Sequence, residues 1–428
     1  MKVQAFEKHE AQVRSYCRSF PAVFESGLGA TLKDEDGNHF TDFLAGAGTL
    51  NYGHNNPSIK TAVMEYLARD GVIHALDMYT VAKRSFIEVL NEVILEPRGL
   101  DYKVTFPAPT GTNAVETAMK IARRATGRQN IIAFTNGFHG MTAGALAASA
   151  TRRKREGAGV TLSGVTRMPY EGYANGLDSA ALLDQMLSDD GGGIDAPAAI
   201  IVETVQAEGG LNAASAEWLR AIASIAAKHG ALLIVDDIQT GCGRTGTFFS
   251  FESMGFTPDI ICLSKAIGGM GLPMALVLFR PALDVLAPGE HNGTFRGHNL
   301  AFVAATAALQ FWRDPAFGES IRRRGRHMQE RLGAIVARHP YEGAHVRGRG
   351  MLLGIGWNDA AIAGEVSQEA FRYGVIAETT GSSDQVLKFL PPLIISDEEL
   401  MRGLDGIELA IAAVMKSRGA SASLTAAE

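Results

Sequence analysis

Cysteine is scarce in this sequence, which has three cysteines, Cys17, Cys242 and Cys262, among 428 residues. Their odd number and irregular spacing argue against a disulfide framework and against a cysteine-based metal site. Cys262 lies within an apolar run, so we expect it to be a buried free thiol. The amino terminus also lacks the apolar core of a signal peptide. Together these features predict a reducing, cytoplasmic location.

Long apolar runs and an excess of positive charge are also lacking. No apolar run reaches roughly 18 residues, the length that would predict a membrane span. The formal net charge of −6 gives no attraction for nucleic acid or for an anionic membrane surface. We therefore expect small-molecule partners and no metal site. The length and a hydrophobic content of 46% suit one large α/β domain plus a smaller one.

Two short apolar runs in the middle of the chain lead into residues that can carry chemistry. The first, Leu232–Asp236, ends in a carboxylate, and the second, Ile260–Leu263, is followed directly by Ser264 and Lys265. Runs that are apolar on both faces are typical of buried parallel strands, and ligands bind at the carboxyl ends of such strands. We therefore expect Asp236 and Lys265 to lie at one edge of the same sheet.

A lysine and an acid at that edge indicate pyridoxal 5′-phosphate (PLP) chemistry. A buried lysine is costly unless its amine is neutral or is used covalently, and a lysine that binds PLP satisfies both conditions. PLP also needs an anion against its pyridine nitrogen in order to act as an electron sink. Taken singly, Lys265 could be a surface residue and Asp236 could cap a turn or a helix.

The pattern from about residue 100 onward alternates strands with helices, which predicts βαβ units and a mainly parallel sheet. The strand candidates are Ile131–Phe134, Ala199–Glu203, Leu232–Asp236, Ile260–Leu263 and Ala275–Phe279. The tail from about residue 416 is small and polar, which predicts disorder.

A candidate anion site precedes the predicted helix Asn113–Ala125. Asn113 and Glu116 have the spacing of a capping box. Free backbone N–H groups and the positive end of the helix dipole make Gly111 and Thr112 candidates for binding a phosphate. An ordinary capped helix is the alternative reading of this motif.

Three further residues lie just after predicted strands. Phe138, between glycines, could stack on a flat ring or simply pack in the core. Glu203 and Glu208 could tune a site electrostatically, or they could cap the following turn.

Five motifs, in this order and over nearly the whole chain, resemble class III (ω-amino) aminotransferases. The motifs are Thr110–Glu116, Glu203–Gly210, Asp236–Gly246, Ser264-Lys265 and Asn292–Gly297. The resemblance implies an α/β, PLP-dependent transferase of fold type I that works as a homodimer or a higher homo-oligomer. Its large domain would have a mostly parallel seven-stranded sheet between helices, and both termini would build a smaller α+β domain. The implied large domain spans residues 61–325, and the smaller domain is built from residues 1–60 and 326–428.

The resemblance also implies roles for the residues at the sheet edge. Lys265 would bind the cofactor covalently and move a proton between substrate and cofactor. Asp236 would pair with the pyridine nitrogen, with Glu203 in the layer behind it. Gln239 would contact the ring hydroxyl, and Phe138 would stack on the ring.

The resemblance assigns the phosphate to three residues. Gly111 and Thr112 would hold the phosphate within one subunit, whereas Thr294 would reach the phosphate of the neighbouring subunit.

The segments Tyr16–Pro21, Gly46–Pro57 and Gly289–Gly297 resemble one branch of the family. That branch moves the γ-amino group of L-2,4-diaminobutyrate to 2-oxoglutarate in ectoine biosynthesis. The implied reaction interconverts these amino and keto acids with L-aspartate 4-semialdehyde and L-glutamate.

The sequence departs from many relatives where they bind substrate carboxylates. Met141 and Lys388 stand where those relatives have arginines, and the second arginine pairs in some of them with the acid matching Glu208. Lys388 and Arg18 are our candidates for carboxylate binding, with Glu208 as the third candidate substrate residue. Ornithine enzymes carry a tyrosine where Ala47 stands, which argues against ornithine as the substrate.

Three alternatives stay open at this point. One is another class III ω-aminotransferase that acts on ornithine or 4-aminobutyrate, or on diaminobutyrate for a different product. Another is a PLP-dependent aminomutase or racemase, which would need no amino acceptor. A binding protein without catalysis is the third, and the presence of both Lys265 and Asp236 argues against it.

Overall fold

The computed structural model describes residues 3–425, with side chains described up to residue 419. The strands in this part of the chain are β1 Phe24–Leu28, β2 Thr31–Asp34, β3 His39–Asp42, β4 Lys103–Thr105, β5 Ile131–Phe134, β6 Val165–Met168, β7 Ala199–Val202, β8 Val205–Gln206, β9 Asn212–Ala213, β10 Leu232–Asp236, β11 Ile260–Leu263, β12 Leu276–Phe279, β13 His345–Arg349, β14 Leu352–Gly356, β15 Val375–Ile376, β16 Glu378–Thr380 and β17 Val386–Phe389.

Helices alternate with these strands. The α-helices are α1 Gln4–His9, α2 Tyr16–Ser19, α3 Ala45–Gly48, α4 Pro57–Ala68, α5 Val81–Val89, α6 Gly111–Thr126, α7 Ala143–Ala148, α8 Arg152–Glu156, α9 Ser179–Ser188, α10 Ala216–Lys228, α11 Asn299–Leu309, α12 Pro315–Arg338, α13 Ala360–Arg372 and α14 Asp397–Thr425. A π-helix spans Leu90–Leu95, and 3-10 turns span Glu96–Arg98, Lys265–Gly268, Pro281–Leu283, Gln310–Arg313 and Tyr341–Gly343. No helix between residues 3 and 425 is long and apolar enough to cross a membrane.

The predicted seven-stranded, mostly parallel sheet is confirmed. Its strand order is β4-β12-β11-β10-β7-β5-β6, and β12 runs antiparallel to both of its neighbours. Alternate residues of β10 face opposite sides: Val235 shares a buried cluster with Ile222 of α10, whereas Ile234 shares one with Ala118 of α6. The sheet therefore lies between two layers of helices, as fold type I requires.

The sequence did not predict the two outer strands, β4 and β6. Both are partly exposed, and they contain Lys103 and Arg167. Because an edge strand pairs on one side only and is partly solvated, it lacks the continuous apolar run that marks the inner strands.

The two ends of the chain meet in the smaller unit. Strand β15 pairs in parallel with β3, with Val375 opposite Thr41, and so completes a four-stranded sheet with β1 and β2. Strands β13, β14, β17 and β16 form a second four-stranded sheet. Helix α12 runs through the predicted boundary between residues 325 and 326. The boundary positions themselves stay a prediction.

Helix α14 extends into the carboxyl-terminal tail and continues to Thr425. The last three residues lie outside the described part of the chain, and the disorder predicted from about residue 416 stays a prediction. The Arg418 guanidinium pairs with Asp359 at 2.6 Å and with Glu365 at 2.8 Å. These contacts to the start of α13 hold the helix beyond its apolar face.

A fully buried arginine connects segments that are far apart in sequence. The Arg244 guanidinium donates to the backbone carbonyls of Met351, at 3.2 Å, and of Pro391. It also donates to the Asn51 side-chain oxygen, and the Asn51 amide in turn donates to the Cys242 carbonyl at 3.0 Å. Arg244 therefore ties the loop after β10 to both the amino-terminal and the carboxyl-terminal parts of the chain.

Replacing this arginine tests how much it contributes to the stability of the fold. We expect Arg244→Met to lower the free energy of unfolding by at least about 2 kcal/mol, since a buried acceptor left without a donor costs about 1–3 kcal/mol. The measurement is urea-induced unfolding at a fixed protein concentration. Arg326→Met is the matched control, because Arg326 is exposed and has no polar partner among the described side chains. Equal changes in the two variants would contradict the assignment.

Candidate active site

A cavity of about 160 Å³ lies at the carboxyl ends of β5, β7, β10 and β11. Most of the predicted site residues line it: Gly111, Thr112, Phe138, Glu203, Glu208, Asp236, Gln239 and Lys265. The edge predicted from the apolar runs is therefore where these side chains meet. A larger cavity, of about 980 Å³, lies elsewhere beside Tyr79, Lys83 and Arg296, and none of the predicted site residues lines it. Chemistry rather than volume identifies the candidate site.

Lys265 lies in the turn directly after β11. Its backbone φ is +52°, a left-handed conformation that is uncommon for a residue with a side chain and that is often found at functional sites. The preceding Ser264 donates its hydroxyl to the Met274 carbonyl at 2.8 Å, which fixes the turn. Burial lowers the pKa of Lys265, although Glu208 opposes that shift. Its amine is therefore easier to deprotonate than that of a surface lysine.

Asp236 and its neighbour Asp237 point in different directions. Asp236 lines the cavity, and its Oδ1 accepts a hydrogen bond from the Ile238 N–H at 3.2 Å. Asp237 faces away, where it accepts from the Thr240 hydroxyl at 2.7 Å and from the Ser250 N–H at 2.9 Å. Burial raises the pKa of Asp237 to about 6, against the effect of these hydrogen bonds. The cavity therefore receives one aspartate of the pair.

His139 backs Asp236, a contact that the sequence reasoning missed. Its Nδ1 lies 2.7 Å from Asp236 Oδ2, and both side chains are buried. Burial opposes protonation of the ring, but the hydrogen bond with Asp236 raises the pKa of His139 above its ordinary value. The imidazole therefore fixes the orientation of the Asp236 carboxylate through a buried hydrogen bond. The signal for this contact that was available in the sequence was the histidine immediately after Phe138.

Glu203 supports the loop that carries Phe138. Its Oε1 accepts a hydrogen bond from the Phe138 N–H at 2.9 Å, and the Tyr170 hydroxyl donates to the Glu203 carbonyl at 2.8 Å. Burial raises the pKa of Glu203 to about 8, so the carboxyl group holds a proton at neutral pH. Glu203 therefore positions a cavity residue without adding a full negative charge.

Helix α6 points its amino-terminal end at the cavity. It begins at Gly111, two residues earlier than predicted, and runs for 16 residues. The predicted capping box is wrong, because Glu116 instead accepts from the Thr142 hydroxyl at 2.6 Å and from the Ala145 N–H at 3.0 Å. The first N–H groups of α6 are therefore left for another acceptor, as an anion site requires.

Small residues keep this end of the cavity open. A Cβ added at Gly140, whose φ is +133°, would lie 2.3 Å from Thr112 Oγ1. A Cβ added at Gly111 would lie 3.1 Å from the Ile238 side chain. Thr112 Oγ1 lies 2.6 Å from the Thr142 hydroxyl. The two glycines therefore allow a close approach of backbone and side chains at this end of the cavity, which a larger residue would prevent.

Lys388 lies fully buried in a cluster of charges at the other end of the cavity. Its Nζ donates to Glu208 Oε1 at 2.7 Å and lies 2.9 Å from Glu378 Oε1. It also donates to Gln239 Oε1 at 3.5 Å. Burial alone would lower the pKa of Lys388, yet the two acids raise it well above its usual value. Burial would likewise raise the pKa of Glu208, but Lys388 and Lys265 lower it to about 2.

Glu378 and Tyr16 complete this charge cluster, and the sequence reasoning missed both. Glu378 lies opposite Lys388 in the pairing of β16 with β17. The Tyr16 hydroxyl donates to Glu378 Oε2 at 3.0 Å. An acid within a buried strand was the signal for Glu378, whereas nothing local indicates Tyr16. One lysine is therefore shared by two acids.

Two of the predicted site residues, Arg18 and Thr294, do not line the cavity. Arg18 is exposed and donates to the Arg14 carbonyl at 2.6 Å, so it is not brought to the cavity. Thr294 is exposed, with its carbonyl 2.8 Å from His74 Nε2, and it does not line the cavity of its own chain. The Gln239 amide donates to the Ala47 carbonyl at 2.8 Å.

Comparison with known proteins gives consistent results. Residues 14–411 match the family described as aminotransferase class-III. The chain is 52% identical over 411 residues to the diaminobutyrate–2-oxoglutarate transaminase of Oceanobacillus iheyensis, covering 96% of each chain. It is also 52% identical over 420 residues to the enzyme of that name from Nocardia farcinica, covering 98% of this chain and 96% of the relative.

Solved structures give the same family. The ornithine aminotransferase of Toxoplasma gondii is 28% identical with a TM-score of 0.85, covering 97% of this chain and 94% of that one, and its structure reveals partial occupancy of PLP at the active site. The acetylornithine aminotransferase of Elizabethkingia anophelis is 27% identical with a TM-score of 0.78, covering 96% and 98%. On its matched length, its near relatives and its fold, the chain belongs to the class III aminotransferases.

Proposed function

We propose that this chain is a PLP-dependent transaminase that moves the γ-amino group between L-2,4-diaminobutyrate and 2-oxoglutarate, with L-aspartate 4-semialdehyde and L-glutamate as the other pair. The meeting of Lys265 and Asp236 in a cavity that also receives the amino end of α6 carries the proposal. Identity of 52% over nearly the full length to enzymes of that activity supports this substrate choice over ornithine or 4-aminobutyrate.

The cavity has groups that suit both the phosphate and the ring of PLP. The first N–H groups of α6, at Gly111 and Thr112, would hold the phosphate, and Asp236 would face the pyridine nitrogen. Phe138 would stack on the ring, and Gln239 would contact the ring hydroxyl. When bound, PLP supplies the electron sink that lets a carbon next to nitrogen lose a proton.

The residues of this chain then handle the proton and the charge. Lys265 would hold the cofactor covalently through Nζ, and in its free form this amine would take the proton from the reacting carbon and return it. Its lowered pKa supports that exchange. His139 would hold the Asp236 carboxylate in position facing the ring through their buried hydrogen bond.

The two substrates bind in turn, so one site must accept both a diamino acid and a dicarboxylate. Lys388 already contacts Glu208, Glu378 and the Gln239 side-chain oxygen, which together take up the three N–H donors of its ammonium. We therefore propose that Lys388 acts on the substrates through Glu208, which lines the cavity. Arg18 would contribute to carboxylate binding only after its segment moves.

We also propose that the chain forms a homodimer and that it works in the cytoplasm. Its reaction would be the first step of ectoine biosynthesis. Thr294, exposed and outside the cavity of its own chain, would reach the phosphate in a second subunit. Exposed apolar side chains beside the larger cavity, Met78, Tyr79 and Val81, support a subunit contact there. The absence of disulfides among the three cysteines supports a reducing compartment.

The reaction itself is tested by its stoichiometry. We expect purified enzyme with PLP to form one glutamate for each L-2,4-diaminobutyrate consumed, and to form none when 2-oxoglutarate is omitted. Ornithine and 4-aminobutyrate are the comparison substrates, with products identified by mass spectrometry. Consumption of diaminobutyrate without an acceptor would indicate an aminomutase or racemase and overturn the proposal.

The two neighbouring aspartates provide a matched test of the cofactor site. Asp236→Asn should lower kcat by at least about 100-fold, the scale for losing a preorganised electrostatic group, because it removes the charge facing the ring. Asp237→Asn makes the same chemical change outside the cavity and should affect kcat far less. The absorption band of bound PLP shows whether each variant keeps its cofactor. A larger loss in Asp237→Asn would reverse the assignment.

Lys388 gives a test that separates the two half-reactions. Lys388→Ala leaves Glu208 and Glu378 without their shared cation, so the site repels a dicarboxylate. We expect kcat/KM for 2-oxoglutarate to fall about 10- to 150-fold, the range for one charge-assisted contact. The value for diaminobutyrate should fall less, since its second ammonium can bind the freed acids. Lys388→Arg restores the charge, and an equal loss in both half-reactions of Lys388→Ala would contradict the proposal.

A further inference from the structure

A third lysine, Lys154, lies beside a cavity-lining residue and has no counter-charge in the described part of the chain. Lys154, in α8, has its Nζ 4.2 Å from the centroid of the Phe138 ring, and Phe138 lines the cavity. No carboxylate of the described side chains lies within ion-pair distance of Lys154, whereas Lys388 has two such partners. A half-buried ammonium held on an aromatic face is available to an anion from outside.

The surroundings of Lys154 add to this positive charge. Helix α8 consists of four basic residues followed by one acid, Arg152 to Glu156, and none of the four has an ion pair among the described side chains. The Nε of Arg155 is buried without a hydrogen-bond partner. Burial alone would raise the pKa of Glu208, and Lys154 is one of the three lysines that lower it. The surroundings of Lys154 therefore combine several basic groups that have no ion-pair partner among the described side chains.

The chemistry of the two proposed substrates gives this cation a common target. In diaminobutyrate the reacting carbon is C4, and the carboxylate carbon is the third carbon from it. In 2-oxoglutarate the reacting carbon is C2, and the distal carboxylate carbon is again the third from it. When the reacting carbons are superposed, the two carboxylates therefore occupy one place. The substrates differ in charge only nearer to the reacting carbon.

We propose that Lys154, whose ammonium lies over the Phe138 ring, binds the distal carboxylate that both substrates share. The inference rests on the proposed function and adds a residue to it. One face of Phe138 then serves Lys154, which leaves the other face for the cofactor ring. A single fixed cation at this position would let both half-reactions use the same anchor, while Glu208 and Lys388 deal with the groups that differ.

Glutarate is the probe for this site, because it is a dicarboxylate of the same length as 2-oxoglutarate but lacks the keto group. Its dissociation constant is measured by calorimetry on the PLP-loaded enzyme, and kcat/KM is measured for each substrate in its own half-reaction. We expect K154M to weaken glutarate binding about 10- to 150-fold and to lower both kcat/KM values by a similar factor, mainly through KM. K154R keeps the charge and should retain most of the affinity.

The matched control is R153M, which removes one charge from the exposed face of the same short helix. We expect R153M to bind glutarate as the wild type does. Wild-type enzyme that does not bind glutarate, K154M that binds it as tightly as wild type, or R153M that loses as much as K154M would each overturn the proposal. Glutarate binding does not depend on which diamine is turned over, so failure of the proposed substrate would be seen separately.

Discussion

The parallel pairing of β10 with β11 is the constraint on which the site depends. Asp236 lies opposite Cys262 in this pairing, and the Asp237 N–H donates to the Cys262 carbonyl at 3.0 Å. The two strands therefore end side by side. Asp236 at the end of β10 and Lys265 in the turn after β11 reach the same cavity as a result. A shift of one residue would send Asp236 to the opposite face and would bring Asp237 to the cavity instead.

The buried ionisable side chains around this edge of the sheet are arranged in pairs or clusters. Asp236 is paired with His139, while burial raises the pKa of Glu203 one layer behind and so favours its uncharged form. At the opposite end two acids share Lys388. Because Asp236, Glu208 and Lys388 each have a buried partner, these groups avoid the several kcal/mol that an isolated buried ion would cost. Amine, acid and anion site can then lie close together without destabilising the fold.

Much of the fold and part of the site could be predicted from the sequence, and the reason is local. Asp236 and Lys265 follow apolar strands directly, so their position at the sheet edge depends on neighbouring residues. Edge strands β4 and β6 were missed because partial solvation removes the apolar pattern. Glu378 and Tyr16 could not be assigned, since strand pairing and long-range packing bring them to Lys388. An acid within a buried strand marks Glu378 as unusual, but the contacts that Glu378 and Tyr16 make have no signature in a short stretch of sequence.

Arg244 has a further consequence for how the molecule can move. Its hydrogen bonds join the loop after β10 to Asn51, Met351 and Pro391, so a hinge between the larger and smaller units would break several buried contacts at once. The segment carrying α1 and α2 is bound differently, since neither helix has a buried residue. Tyr16 nevertheless links that segment to the charge cluster. The amino-terminal segment is therefore held less firmly than the two units are held to each other.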